Sequence, residues 1–367
     1  MKGKDHRILE MIKANPFISQ QELAERLDLS RSAVAGYISA LVKQGKIVGR
    51  AYVLREEKGI LCIGGGNVDR KARVNGEFLW YDSNPVNVTE SVGGVARNIA
   101  ENLGRLGLKT SLLTAVGLDK MGEQVLDSVT PYVDISPSIQ LKGTTGTYTA
   151  VLGDTGEMLF ALANMEIYDN LSLDDLTEKW NHIRSAEILV MDLNFPKEVI
   201  SSIILNRQKD HLLTAIVPVS AKKMNRMPDD LTGVDYIICN QEELASLIKQ
   251  FRIDPNLSTE EAMKEITLLG VNNIIITHGR KGVSYYSING EIGTTSSFSS
   301  TVKDVTGAGD AFVAGLLYGV FSGENIEKSC QYGLACAALT VETDKSVNET
   351  LSEEALHTIL SSHNHRR

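Results

Sequence analysis

Asp304-Val305-Thr306-Gly307-Ala308-Gly309-Asp310, followed at once by Ala311-Phe312-Val313-Ala314-Gly315-Leu316-Leu317, is the most informative stretch of the chain. Its second half has no polar residue on any face of its first turns, which marks a helix buried all round. The glycines ahead of it let the backbone turn sharply, so the N–H groups of 307–310 are expected to point out at the helix N-terminus. Unpaired N–H groups and the helix dipole together form an anion site there. A carboxylate beside a bound phosphate is repelled unless it has chemistry to perform. The task that fits Asp310 is to accept the proton of a hydroxyl attacking a terminal phosphate. Stripped of any ligand, the same residues also suit a glycine-rich turn with Asp310 as a dipole partner.

Working outward, apolar strands are expected at 60–64, 110–116, 187–192, 213–217, 235–239 and 273–277, with a helix at 94–106 and helical patterns between the later strands. That alternation predicts an α/β fold, a mostly parallel sheet covered by helices on both faces. Residues 70–92 and 144–163 alternate with β periodicity instead, with a hairpin signal at Asp154-Thr155-Gly156. They predict a small β-sheet beside the main body, placed to act as a lid. The composition, 43% hydrophobic and 23% charged over 367 residues, excludes a globally disordered chain. No apolar run approaches the roughly 18–20 residues that span a bilayer, and the first residues lack the apolar stretch of a signal peptide. Cys62, Cys239, Cys330 and Cys336 form no Cys-x-x-Cys pair, so buried, reduced thiols in a cytoplasmic protein are expected.

Charge divides the chain. Residues 1–59 hold 11 Lys and Arg against 7 Asp and Glu, a net of +4, which leaves −13 for the remainder of a chain whose total is −9. A basic head on an acidic body points to two kinds of partner. The boundary is read in Arg55-Glu56-Glu57-Lys58-Gly59, giving a head at 1–58 and a body at 59–367. In the head, Ile8, Leu9, Met11 and Ile12 stripe a first helix. Ser19-Gln20-Gln21-Glu22 is a capping-box pattern opening a second. Ser30 caps a third, which carries Val34, Tyr37, Ile38, Leu41 and Val42. Residues 47–54 alternate like a strand pair and suit a wing. This arrangement resembles the winged helix-turn-helix heads of bacterial regulators, with Arg31 and Ser32 on the helix that would meet DNA.

Two further clusters in the body carry chemistry. Gly93-Gly94-Val95-Ala96-Arg97-Asn98 places two glycines before a helix, where a ligand can come close, and Asn98 one turn in can hydrogen-bond sugar hydroxyls. Asp69, just past the first strand, can accept from two vicinal hydroxyls. Asn240 and Glu243 share a helix face and can hold hydrated Mg²⁺ near phosphates, although Asn at the N-cap with Glu three residues on is equally a capping box. Dinucleotide, P-loop and protein-kinase signatures are all missing.

In this order, G-N-x-D, G-G-x-x-x-N, N-x-x-E, T-x-G and G-A-G-D, the body from about residue 60 to 355 resembles the ribokinase-like sugar kinases. The resemblance implies a three-layer α/β/α body with a β lid and ATP-dependent phosphorylation of a primary hydroxyl. Asp310 then matches the catalytic base and Gly307, Ala308 and Gly309 the anion hole. Asp69, Gly93, Gly94 and Asn98 fall on sugar-binding positions, Asn240 and Glu243 on the metal–phosphate motif, and Thr277, Gly279 and Gly282 on the ATP side. Asp304 and Thr306 sit where many relatives bind a monovalent cation such as K⁺. Asp82-Ser83-Asn84, the Gly93–Ala100 cluster, Asp154–Met158 and Asn164 are similar to bacterial pseudouridine kinases, which implies pseudouridine as acceptor. A pseudouridine ring carries an extra N–H relative to uridine, and a polar loop such as 82–84 is the expected reader of it. Ribose, inosine or adenosine as acceptor stays open, as does a nucleoside-sensing regulator built on a kinase body. Val217 stands where relatives often carry Asp before the proline. A homodimer is expected, since it suits both palindromic DNA and an exposed lid sheet.

Overall fold

The computed structural model describes residues 4–15, 18–47, 59–207 and 212–364. The chain separates into two compact units, Met1–Lys58 and Gly59–Arg367. Among its described residues the first holds three helices, α1 (Lys4–Ala14), α2 (Gln20–Leu27) and α3 (Arg31–Lys43). Ile8, Ile12, Leu23, Val34, Ile38 and Leu41 meet in its core. Ser19 and Ser30 cap α2 and α3 through the amides of Glu22 and Ala33. The expected reciprocal bond from Glu22 does not form, because its carboxylate turns to Arg26 one turn along at 2.6 Å. Between the two helices Asp28 adopts φ 52° as the turn residue. Most of the wing read at 47–54 lies outside the described residues.

The second unit is built on an eight-stranded sheet. Its parallel strands are β1 (Ile60–Ile63), β4 (Thr110–Leu113), β9 (Ile188–Asp192), β10 (Leu213–Val217), β11 (Val234–Asn240) and β12 (Val271–Thr277). An antiparallel edge follows, β13 (Val283–Ser287) and β14 (Ile292–Thr295), and the spatial order is β14-β13-β12-β11-β10-β9-β1-β4. A short pair, β5 (Ala115–Gly117) and β6 (Ile139–Leu141), stands beside it, so the strand expected over 110–116 is broken in two.

Strands covered on both faces read as unbroken apolar runs. In β1 the alternation is complete: Ile60 and Cys62 join one core, and Leu61 and Ile63 the other. The first core is closed by α4 (Val95–Arg105), α11 (Ala308–Phe321), α12 (Ile326–Thr340) and α13 (Glu353–Asn364). The second is closed largely by α8 (Lys197–Arg207), α9 (Gln241–Gln250) and α10 (Thr259–Leu268). Three shorter helices, α5 (Lys120–Asp127), α6 (Glu166–Asp169) and α7 (Trp180–Ser185), complete the fold. The four cysteines are buried and free. Among the described residues no helix is long and apolar enough to cross a membrane.

The segments with β periodicity form a separate four-stranded sheet, ordered β3-β2-β7-β8, from β2 (Asn67–Val74), β3 (Val86–Gly93), β7 (Thr147–Leu152) and β8 (Met158–Asn164). Asp69 therefore sits inside a strand and not in a loop after β1. Register pairs Asp69 with Tyr148 and Lys71 with Ala150, so these four side chains share one face of the sheet.

Candidate active site

The site collects at the carboxyl ends of the parallel strands, where open α/β sheets bind ligands. Gly307 caps α11 with φ +78°, and a β-carbon there would lie 1.8 Å from the carbonyl oxygen of Ser346. Only glycine fits. The amides of this turn differ from the sequence expectation in one respect: that of Ala308 donates to the Val305 carbonyl at 3.2 Å. Those of Gly307, Gly309 and Asp310 have no acceptor among the described residues, which leaves three donors for an anion. A β-carbon on Gly309 would meet open space, so the cradle faces outward.

Asp310 is partly buried, and its Oδ2 accepts from Asn98 Nδ2 at 2.8 Å. Burial pushes its carboxyl up to about 7, helped by the charges of Asp192 and Asp69 and opposed by the Asn98 bond and Arg97. A carboxyl balanced there is well suited to take up a proton near neutral pH.

Asn98 lies in the first turn of α4, whose N-cap Gly94 has φ +104° and would otherwise drive a β-carbon to 2.4 Å from the Gly65 carbonyl oxygen. Gly93 is required for a different reason, since its β-carbon would fall 2.0 Å from Asp69 Oδ2. The loops are gathered by a residue that the sequence reading missed. Asp192, 1% exposed at the end of β9, accepts from the amides of Gly65 (2.8 Å), Ala96 (3.0 Å) and Asn194 (2.8 Å). Its only sequence signal is its place at a strand's carboxyl end. Arg97, for which the sequence suggests no role, is 5% exposed, and its Nη1 donates to Asn98 Oδ1 at 2.9 Å.

On the other side of Gly309 lies a mainly apolar cleft of about 310 Å³, lined among others by Thr277, Gly279, Gly282, Phe298, Ala308 and Phe312. Asn240 and Glu243 form both halves of a capping box at the start of α9. Burial raises the Glu243 carboxyl to about 7, against the pull of the Asn240 amide. Asp304 is fully engaged within the protein. Its Oδ2 takes Lys71 Nζ at 2.7 Å, and its Oδ1 takes the amide (2.9 Å) and hydroxyl (2.7 Å) of Thr306. Although partial burial works the other way, these donors hold its carboxyl down to about 2.

Asp82, Ser83 and Asn84 occupy the turn between β2 and β3, where Asn84 bonds the amide and carbonyl of Leu79 and Ser83 donates to Asp82. Their bonds close the turn on itself and reach none of Asp69, Asn98 or Asp310. Asn164 ends β8, near Thr144 at 3.4 Å. In the first unit Arg31 and Ser32 are exposed at the start of α3, Ser32 sharing a hydroxyl contact with Ser30 at 3.0 Å.

Residues 57–353 match the family model for pfkB family carbohydrate kinases. The chain belongs to that family. Residues 1–48 of this pfkB kinase match the winged helix-turn-helix DNA-binding model. The kinase is 30% identical over 302 residues to the pseudouridine kinase of Escherichia coli K12, covering 82% of this chain and 95% of that one. It is 28% identical over 356 residues to the uncharacterized sugar kinase YeiI of the same organism, covering 96% and 98%. Its fold superposes on a carbohydrate kinase from Agrobacterium tumefaciens with a TM-score of 0.72 at 26% identity, covering 83% and 97%.

Asp192→Ala leaves three buried amides without an acceptor. At about 1–3 kcal/mol per unpaired buried group, the kinase is expected to lose at least about 3 kcal/mol of stability in urea denaturation. An unchanged midpoint would show that Asp192 does not bind these loops together.

Proposed function

We propose that this kinase transfers the terminal phosphoryl group of ATP to the 5′-hydroxyl of pseudouridine. The observation that carries the reading is Asp310: its carboxyl is held by Asn98 and lies within the field of Asp69, while its own amide is one of the three open at the start of α11. In the reaction, the 5′-oxygen forms a bond to the γ-phosphorus as the bond to the β,γ-bridging oxygen breaks, and ADP leaves. Asp310 takes the hydroxyl proton. The amides of Gly307, Gly309 and Asp310 take up charge on the transferred group. Asp69 accepts from the two ribose hydroxyls. The cleft between Thr277 and Phe312 is the expected seat of the adenine, being apolar and next to the amides.

Mg²⁺ at nucleotide sites relies on phosphates, water and one or two carboxylates. Glu243 suits that part, because the Asn240 amide takes its Oε2 and leaves Oε1 for an ion. Glu243 is the carboxylate expected to hold it, and the ion would supply neutralising charge beside the phosphates. For K⁺ the fit is poorer, because Lys71 and Thr306 already occupy both oxygens of Asp304.

A nucleoside acceptor is supported by the relative named pseudouridine kinase and by Tyr148. That ring is 36% exposed on the face of the small sheet that carries Asp69, where a planar base can stack. A free-sugar acceptor has its own support, because the match to YeiI extends over nearly the whole chain. Closure of the small sheet over the acceptor would keep water from competing for the phosphoryl group. The first unit is proposed to bind DNA through α3.

Three experiments test these readings. Incubated with MgATP and pseudouridine, uridine or ribose, the protein is expected to form pseudouridine 5′-phosphate most efficiently. Asp310→Asn should lose about 10²–10⁴-fold in kcat while still binding nucleoside; near-normal turnover would overturn the assignment. Replacing Arg31 by Ala should weaken duplex DNA binding and reduce the slope of log affinity against log salt by about 1. A wild-type protein with no measurable DNA affinity would refute the role of the head.

A further inference from the structure

A buried guanidinium is expensive to desolvate and persists only with good partners. Arg97 is 5% exposed, and it has three: Glu101 Oε2 at 2.6 Å, Asn98 Oδ1 at 2.9 Å and Ser128 Oγ at 3.1 Å. Holding the helix together does not account for it. Glu101, also buried, is independently paired with Arg105 through bonds of 2.7 and 2.8 Å. The trio therefore carries one positive charge in excess. Facing it are the carboxyls of Asp69 on β2, Asp310 on α11 and, beyond them, Asp192 at the end of β9.

Hydrogen-bond chemistry adds direction to the charge. Arginine has donors and no acceptor, whereas an asparagine amide has one end of each kind. With Nη1 donating to Oδ1, the Asn98 side chain has a single orientation, and its Nδ2 is left to donate to Asp310. A flipped amide would set donor against donor at Arg97 and acceptor against carboxylate at Asp310.

We propose that Arg97 is a positioning residue for phosphoryl transfer, acting through Asn98 to hold the Asp310 carboxylate in place and favour its ionised form. The inference rests on the kinase reading above. Burial and the neighbouring carboxyls push Asp310 toward the protonated form, which cannot act as base, and Arg97 is the cation set against them. The sign follows. Removing the positive charge raises the pH at which Asp310 ionises, so activity is lost at the acid side of the profile and recovered at high pH.

The test is the pH dependence of kcat/KM for the best acceptor in the full chain. Arg97→Gln leaves Glu101 paired with Arg105, so no orphan charge is created. Its acid limb should move up by about 1 pH unit, the low end of the effect of losing a nearby opposite charge because Asn98 stands between the two groups, with the KM for ATP unchanged. Arg97→Lys keeps the charge and should keep the limb within about half a unit of wild type. Glu101→Gln frees Arg97 from its counter-ion and should move the limb the opposite way, a result that does not depend on whether Arg97→Gln folds. A uniform fall in rate with an unmoved limb would mean a purely structural arginine and overturn the proposal, as would Arg97→Lys behaving like Arg97→Gln. Inactivity of the wild type on every acceptor would instead defeat the kinase reading, and it is seen before any variant is made.

Discussion

The 2.8 Å hydrogen bond between Asn98 and Asp310 joins the N-termini of two helices, α4 and α11, that lie 212 residues apart in the chain. Everything at the site depends on those helix ends meeting. Each begins at a glycine with positive φ, because in each the backbone passes where a β-carbon cannot go. Each packs along its length into the same core, with Ile99 and Leu103 of α4 and Phe312 and Leu316 of α11 all buried. The sheet thus acts as a frame that brings the open amides of α11 and the glycine turn before α4 within one hydrogen bond of each other.

Electrostatically the arrangement runs against solvation. Asp69, Asp192 and Asp310 crowd one end of the sheet, and burial raises the carboxyl of each. They are tolerated for different reasons. Three backbone amides satisfy Asp192. Asp69 has Asn67 at 2.6 Å, with Lys71 and Arg97 in its field. Asp310 has one bond, from Asn98, with Arg97 in its field, and burial holds its carboxyl up to about 7. Structural carboxylates are usually stabilised fully; one held at balance is what general-base chemistry requires.

Much of this was legible in the chain itself. Apolar runs such as Ile188–Met191 announce strands buried on both faces, and the β alternation at 147–152 and 158–163 sets those segments apart as a second sheet. Gly307 and Gly94 were readable because a glycine before a helix has few other uses. What escaped depends on partners distant in sequence. Asp192 meets Gly65 and Ala96 across 127 and 96 residues, and Lys71 meets Asp304 across 233. No local pattern encodes those meetings. A local signal also misled where two partners competed: Glu22 prefers Arg26 to the Ser19 amide.

The central claim is that the fold holds Asp310 at the edge of ionisation over a cradle of open amides. Carbon-13 NMR titration of the Asp310 carboxyl in the ligand-free protein, assigned by comparison with Asp310→Asn, tests it directly. The account predicts a midpoint close to 7. A midpoint near the ordinary aspartate value of about 3.9 would contradict it, because the carboxyl would then be solvated and unconstrained.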